Sequence, residues 1–235
     1  MNDEKQIRLW QIDFLRGFAV IGMIVFHTFF IFNFFTVGYG PLEGFSWLIF
    51  ERFIQFTFIG LIGVTLTFSR KKYKTHIFRG LKILGLAAII SIVTYIFDPK
   101  TFVKFGILHF IGTSIILIAP LSQKKYINLF LGIGAFIIGE GMGQITTTNI
   151  FLYIIGFQSY HLPGLDYFPI FPWISIIFSG MFLGNIMKEK FKTTNMKMPK
   201  ILTPITFLGK HSLMTYMVHI PVIIGALWIF GEISQ

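Results

Sequence analysis

Ten ionisable side chains fall within or at the ends of strongly apolar stretches: Asp13, Arg16, His27, Glu51, Arg52, His109, Glu140, Asp166, His211 and His219. A charge at the centre of a bilayer costs about 2.5–3.5 kcal/mol on insertion scales, so those that persist there need a partner or a function. Arg16, Val20, Met23 and His27 are spaced i, i+4, i+7 and i+11, which puts them on one stripe of a helix. At 1.5 Å per residue, Arg16 and His27 lie about 16 Å apart along that helix. Asp13, one turn before Arg16, is spaced to pair with it. Such groups support two chemistries. A neutral imidazole can take a proton from an attacking hydroxyl or amine, or carry a transferred group itself, and a guanidinium can hold phosphates. The stripe also fits a plainer role, with Arg16 reaching lipid phosphates and His27 hydrogen-bonding inside a bundle.

The elements that must position these groups are membrane helices. The 235 residues are 54% hydrophobic and only 13% charged, with a mean hydropathy of +0.73. A soluble domain carries roughly a quarter charged residues, so this chain lacks the polar surface to face water all round. Its 30 Phe exceed what a core of this size uses and fit a lipid-facing surface. The pattern predicts an all-α polytopic membrane bundle of about seven helices, near 12–35, 46–69, 78–97, 104–120, 126–143, 168–188 and 209–231. The apolar stretch 149–157 is too short to span and suits an interfacial or re-entrant piece. The first run is too long for a signal-peptide core and has no small-residue cleavage site after it. One domain, 1–235, is expected.

The net charge of +10 is distributed as a topology signal rather than as a nucleic-acid surface. Lys5 and Arg8, then Arg70, Lys71, Lys72, Lys74 and Arg79, then Lys124 and Lys125, then Lys188, Lys190, Lys192, Lys197 and Lys200 occupy alternate connections. The opposite set holds only Lys100 and Lys104. The positive-inside rule therefore places the N-terminus in the cytoplasm and the C-terminus outside, which needs an odd number of spans.

With that orientation, depth arithmetic brings other groups near the level of His27. Glu51 and Arg52 lie within two turns of the outer face, and His109 is expected at a similar depth on the fourth helix. Asp166, Tyr167 and Trp173 open the sixth helix, where Pro169 and Pro172 suit a rigid start. On the last helix, after His211, Ser212, Thr215, Tyr216 and His219 share a face. These groups are expected either to converge on an outward-opening cavity or to form separate interhelical hydrogen bonds worth about 0.6–2 kcal/mol each. His76 and His161 read as solvated loop residues, Glu140 as interfacial, and Gly60 and Gly63 as helix-packing positions. The absence of Cys excludes disulfides, thiolate metal sites and cysteine nucleophiles. No His-Glu-x-x-His, P-loop, Gly-x-Gly-x-x-Gly or Gly-x-Ser-x-Gly motif occurs, and no metal site is expected.

The run Ile12-Asp13-Phe14-Leu15-Arg16-Gly17-Phe18-Ala19, continued to Met23 and His27, resembles the opening helix of the transmembrane acyltransferase superfamily. The short bacterial and archaeal branch related to the catalytic domain of heparan-α-glucosaminide N-acetyltransferase fits best. Gly106 to Gly112, Asp166 to Trp173, and Gly209-Lys210-His211-Ser212-Leu213 with Tyr216 and His219-Ile220-Pro221 are similar to its later signatures, in order along the chain. The resemblance implies transfer of an acyl group, typically acetyl from cytosolic acetyl-CoA, to a hydroxyl or amine, with a glycan as the expected acceptor. In the related acyltransferase-3 branch, an Arg and a His at this spacing on the first helix are the functional pair, and they match Arg16 and His27. That branch's Arg-x-x-Arg motif is met here by Arg79 and Lys82, with Lys in the second place. One departure matters: the heparan enzyme's proposed catalytic His lies between the first two helices, and Thr36 to Ser46 contains none.

The expected function is thus a plasma-membrane, multi-pass acyltransferase. His27 is its expected base or acyl carrier, assisted by His109 or Asp166, with Arg16, Arg79 and Lys82 on the donor's phosphates. Asp13, Glu51, Arg52, Tyr167, Trp173, His211, Tyr216 and His219 are substrate-facing or structural polar groups. The lipid bilayer, acyl-CoA and a glycan or other small acceptor are the expected partners. Nucleic acid is not among them, and self-association is left open. The rival reading is a proton-coupled small-solute transporter using the same His, Asp and Arg residues, although the chain shows no repeated halves.

Overall fold

A computed structural model describes residues 9–36, 44–159, 162, 164–190 and 198–231. Lys5, Arg8, His161, Lys192 and Lys197 lie outside the described residues. The chain is an all-helical polytopic membrane protein. In order, its helices are α1 (Trp10–Thr36), α2 (Phe45–Phe68), α3 (Tyr73–Phe97), α4 (Ile107–Ile118), α5 (Lys125–Met142), α6 (Ile150–Ile155), α7 (Ile170–Lys190), α8 (Thr203–Lys210) and α9 (Ser212–Ile229). Five of them, α1, α2, α3, α7 and α9, are long and apolar enough to cross a bilayer. Outward-facing Phe18, Phe29, Phe53, Phe56 and Phe136 are at least half exposed, as lipid-facing side chains are.

The described residues form two compact units. One comprises 9–61 and 198–231: α1, the larger part of α2, α8 and α9. The other comprises 62–190: the last turns of α2 and α3 to α7.

In the first unit, α1 packs on α8 and α9. Glycine makes the α1–α8 crossing close. A Cβ on Gly17 would stand 1.9 Å from the Ile205 carbonyl oxygen, and one on Gly209 would stand 1.8 Å from that of Asp13. Small residues let helix backbones approach in this way where the lipid is as apolar as any side chain. Further along, Val20 and Met23 of α1 bury against Ile54 of α2, with Phe50, Phe58 and Tyr216 packed around them.

In the second unit, α5 packs along α7 and α3 along α4. Gly63, read as a packing position, lets α2 meet α7, where its Cβ would fall 2.1 Å from the Ile177 carbonyl oxygen. The segment ahead of α7 runs beside the segment ahead of α4: Leu165 N–H donates to Thr101 O at 2.8 Å and Phe168 N–H to Phe105 O at 3.0 Å.

Three boundaries differ from the sequence expectation. The third helix begins at Tyr73 rather than near 78, because Lys and Arg favour helix and the charged run does not stop it. Tyr73 is tied down by its hydroxyl, which donates to Ile116 O at 2.8 Å. His76 is therefore inside a helix and only 6% exposed, with Nε2 3.3 Å from Ser69 Oγ, rather than a solvated loop residue. The expected last helix is two helices, α8 with Pro204 in its first turn and α9, with His211 in a non-helical conformation between them. The stretch around 149–157 holds the six-residue helix α6, started by Asn149, whose side chain accepts from the Phe151 and Leu152 amides.

Candidate active site

In the first unit the site is built on α1, α2 and α9. Asp13 and Arg16 pair at 3.0 Å in the first turns of α1, as their spacing requires, with Asp13 buried and the Arg16 side chain 18% exposed. Three turns on, His27 Nδ1 lies 2.9 Å from Met23 O. A carbonyl oxygen can only accept, so Nδ1 carries the proton and the neutral ring presents a bare lone pair at Nε2. His219 on α9 is held in the same way, Nδ1 donating to Tyr216 O at 2.6 Å. The two imidazoles meet edge to face, ring centroids 4.8 Å apart and planes at 72°. His219 is buried, and its Nε2 has no hydrogen-bond partner. Tyr216 flanks it at 5.3 Å between ring centroids. From α2, Glu51 is near enough to act electrostatically on His27. Its carboxylate accepts from Gln55 at 2.6 Å, and Gln55 in turn accepts from Arg52 at 3.1 Å. His211 does not share this arrangement. It is exposed and donates from Nδ1 to Phe207 O at 2.9 Å, closing the end of α8.

In the second unit, His109 and Asp166 come together at the N-terminus of α4. The Asp166 carboxylate accepts the Ile107 amide at 2.9 Å, and His109 Nδ1 accepts the Gly106 amide at 3.3 Å. Both satisfy N–H groups that a helix start leaves without intrahelical partners, and the carboxylate suits the positive end of the helix dipole. Gly106 must be glycine for this, since a Cβ there would fall 2.2 Å from Asp166 Oδ2. With Nδ1 accepting, His109 carries its proton on Nε2, which faces Ser91 Oγ at 3.4 Å. Both ring nitrogens of His109 are thus engaged, opposite to the situation at His219.

Tyr167 and Tyr153 stack at 4.0 Å beside this bracket, and the Tyr167 hydroxyl donates to Tyr153 O at 2.6 Å and Phe157 O at 3.2 Å. Burial, with the charge of Asp166 adding to it, pushes the Tyr153 phenol up to about 12, and burial raises Tyr167 further. Both therefore stay protonated near neutral pH. Trp173 packs on Phe168 at 4.6 Å just after the extended Phe171, whose backbone is what the residue before a proline adopts. Arg79 and Lys82 are exposed one turn apart near the start of α3.

A polar group that sequence reasoning passed over joins the ends of α2, α5 and α7. Asn185 donates to Ser122 O at 2.9 Å, and Lys188 and Gln123 both donate to Thr67 O, at 3.3 and 3.0 Å. Asn128 is fully buried and donates to Leu121 O at 3.0 Å. The signal was present as two amides within apolar helices, but attention to ionisable groups alone missed them. Among the described residues, no three His, Asp or Glu side chains are grouped as metal ligands.

The family model for the catalytic domain of heparan-alpha-glucosaminide N-acetyltransferase matches residues 8–221. The chain belongs to that family. The matched region contains every site residue from Asp13 to His219, so both the α1–α9 histidine pair and the α4 bracket are parts of the heparan-alpha-glucosaminide N-acetyltransferase catalytic domain as this chain builds it. Membership makes this a membrane protein of an acyltransferase family, of the N-acetyltransferase type. No curated protein and no solved structure gives a significant match.

Proposed function

We propose that the protein transfers an acyl group, most simply acetyl, from cytosolic acyl-CoA to a hydroxyl or amine acceptor, a glycan or related small molecule, at the outer side of the plasma membrane. The observation that carries this reading is the tautomer of His27. Its Nδ1–H is directed to Met23 O, which leaves the Nε2 lone pair for chemistry, on a half-buried ring inside the matched domain. His27 Nε2 takes the proton as the acceptor oxygen or nitrogen attacks the thioester carbonyl. The carbon–sulfur bond then breaks, and that proton returns to the departing thiolate, giving acylated acceptor and free CoA thiol. Alternatively Nε2 attacks the thioester carbonyl first, the carbon–sulfur bond breaks to release the thiolate, and the ring holds the acyl group until the acceptor attacks it, the acceptor's proton passing to the thiolate or to water.

Arg79 and Lys82, exposed on α3 in the second unit, and separately Arg16 in the first unit, are cations we assign to the donor's phosphates. His109 and Asp166 serve in this reading as the bracket that fixes the start of α4, because His109 Nδ1 and Asp166 Oδ2 accept amides there. The basic connections Arg70–Lys74 and Lys124–Lys125 are assigned to the cytoplasm, the donor's compartment.

The test is His27→Asn, which keeps polarity and approximate size. Acetyl transfer is expected to fall by about 10²–10⁴-fold, the usual contribution of a general base, with the thermal unfolding midpoint little changed. His109→Asn, measured on the same detergent preparation, is expected to lose stability more than intrinsic rate. A folded His27→Asn protein with near-normal turnover refutes the assignment. Rapid mixing with labelled acetyl-CoA and no acceptor separates the two routes, since only a carrier traps acetyl on the protein.

A further inference from the structure

We infer that the cytoplasmic end of the second unit is a docking surface for anionic phospholipid headgroups, built by Lys71, Lys72, Lys74 and Lys124. It goes beyond the acyl-transfer reading, which places none of these four residues on donor or acceptor.

Hydrogen bonds between residues beside these cations bring three stretches of chain together at this end of the unit. Gln123 Nε2, just ahead of α5, donates to Thr67 O in the last turn of α2 at 3.0 Å. Lys188, in the last turn of α7, donates to the same carbonyl at 3.3 Å and to Gln123 Oε1 at 2.7 Å. The Tyr73 hydroxyl, one residue before Lys74, fastens the start of α3 to Ile116 O of α4 at 2.8 Å. Lys71, Lys72, Lys74 and Lys124 therefore belong to one surface, and all four are exposed on it, with Arg70 alongside.

The charge on that surface is not balanced from within the unit. Between 62 and 190 the acidic residues are Asp98, Glu140, Asp166 and Glu189. Asp98 follows α3, Glu140 is in the last turn of α5 and Asp166 precedes α7, so these three lie at the opposite ends of the helices. Glu189 is the acid at this end, and Lys125 holds it at 2.8 Å. Lys125 and Lys188 thus have their partners inside the protein. The four exposed lysines are left with like charges for neighbours, and their counter-charge has to come from outside the chain.

The neighbouring side chains identify that outside group as lipid. Tyr73, Phe78 and Leu81 on α3, and Tyr126, Ile127 and Phe130 on α5, are exposed within two turns of the cations. Lys74 Nζ lies 6.0 Å from the Phe78 ring centre, and Lys125 Nζ 5.3 Å from that of Tyr126. Aromatic rings with cations beside them, at the ends of apolar helices, mark the headgroup level of a bilayer. A soluble anion would use the cations alone. A phospholipid uses both parts of the surface, its phosphate against the lysines and its chains along the exposed rings. Anionic lipids of the cytoplasmic leaflet supply the required charge at that level, and each lysine near them strengthens the attraction about fivefold.

The experiment takes the full chain in detergent and measures binding of phosphatidylglycerol and phosphatidylcholine by native mass spectrometry, with CoA binding by calorimetry on the same preparations. Wild type is expected to prefer phosphatidylglycerol. Lys71→Gln, Lys72→Gln, Lys74→Gln and Lys124→Gln combined are expected to lower that affinity at least about tenfold, and to leave phosphatidylcholine and CoA binding within about twofold. Two smaller variants separate position from net charge. Lys74→Gln with Lys124→Gln is expected to weaken phosphatidylglycerol about fivefold or more and to melt as wild type does. Lys125→Gln with Lys188→Gln removes as much charge, but is expected to melt lower and keep phosphatidylglycerol affinity within about twofold. Equal losses of affinity from the two pairs reduce the effect to net charge and overturn the docking surface. So does a wild type that binds both lipids alike, or a fourfold variant that keeps its preference. A fourfold variant that loses CoA in place of lipid assigns these lysines to the donor and overturns the inference in the same way. Each of these outcomes leaves the His27 test of acyl transfer untouched.

Discussion

Adding a single carbon at Gly17 is expected to do more damage than adding the same carbon at Gly85, although both glycines lie inside long apolar helices. A Cβ on Gly17 would meet the Ile205 carbonyl oxygen at 1.9 Å and its carbon at 2.8 Å, where real Cβ contacts are essentially never under 3.0 Å. The obstacle is backbone, which cannot swing aside as a side chain does. To make room, α8 must withdraw from α1 by about 1 Å, and overpacking of this kind costs about 1–3 kcal/mol. At Gly85 nothing lies within 4 Å of the added carbon. There Ala relieves the helix of glycine's entropy, a gain of about 0.5–1 kcal/mol. The two variants are thus expected to differ by roughly 1.5–4 kcal/mol. At about 2–4 °C per kcal/mol for chains of 150–250 residues, that is a gap of several degrees in melting, measured on both proteins in one detergent. Gly209→Ala presses on the same crossing, 1.8 Å from Asp13 O, so combining it with Gly17→Ala is expected to cost less than the sum of the two. Gly17→Ala is also expected to lower turnover per folded molecule, because α1 carries His27 and α8 leads into the helix that carries His219. If Gly17→Ala and Gly85→Ala melt together, the close α1–α8 crossing is wrong.

Asp166→Asn leaves an acceptor for the Ile107 amide but removes the charge at the start of α4. It is expected to cost about 0.3–1 kcal/mol in thermal unfolding, against about 1–2 kcal/mol for Asp166→Ala, and equal losses would remove the carboxylate from the capping role. Arg79→Ala and Lys82→Ala are each expected to weaken CoA binding by about 1.5–3 kcal/mol in calorimetry, and wild-type affinity in folded variants would take both cations out of the donor site. Because the chain has no Cys, single cysteines at Thr75 and Thr148 report topology directly. In intact cells an impermeant thiol reagent is expected to label the second and spare the first, and the reverse pattern would invert the proposed direction of transfer.

The residues along the chain determine by themselves whatever depends on near neighbours. Apolar length marks the membrane helices, and three-residue spacing yields the Asp13–Arg16 pair seen at 3.0 Å. The order of the short motifs was enough to suggest the family that the match over residues 8–221 then showed. The charged run at 70–79 already hid one boundary, since charge is no obstacle to helix, and with it the burial of His76. Which way each helix faces was beyond sequence. In water an amphipathic stripe reveals the inner face, but lipid is as apolar as a protein core, so exposed Phe18 and buried Val20 carry the same hydropathic signal. Tertiary packing alone decided that His27 meets His219, that Asp166 reaches the Ile107 amide, and that Gly17 is pressed against Ile205 while Gly85 is open. The same packing set the chemical state of the histidines. Sequence leaves the tautomers of His27, His109 and His219 undetermined, whereas the carbonyls of Met23 and Tyr216 leave bare Nε2 on two of them, and the Gly106 amide puts the third in the opposite tautomer. A tautomer is chosen by whichever backbone donor or acceptor the fold brings within 3 Å or so of a ring nitrogen, and that choice exists only once the helices have packed.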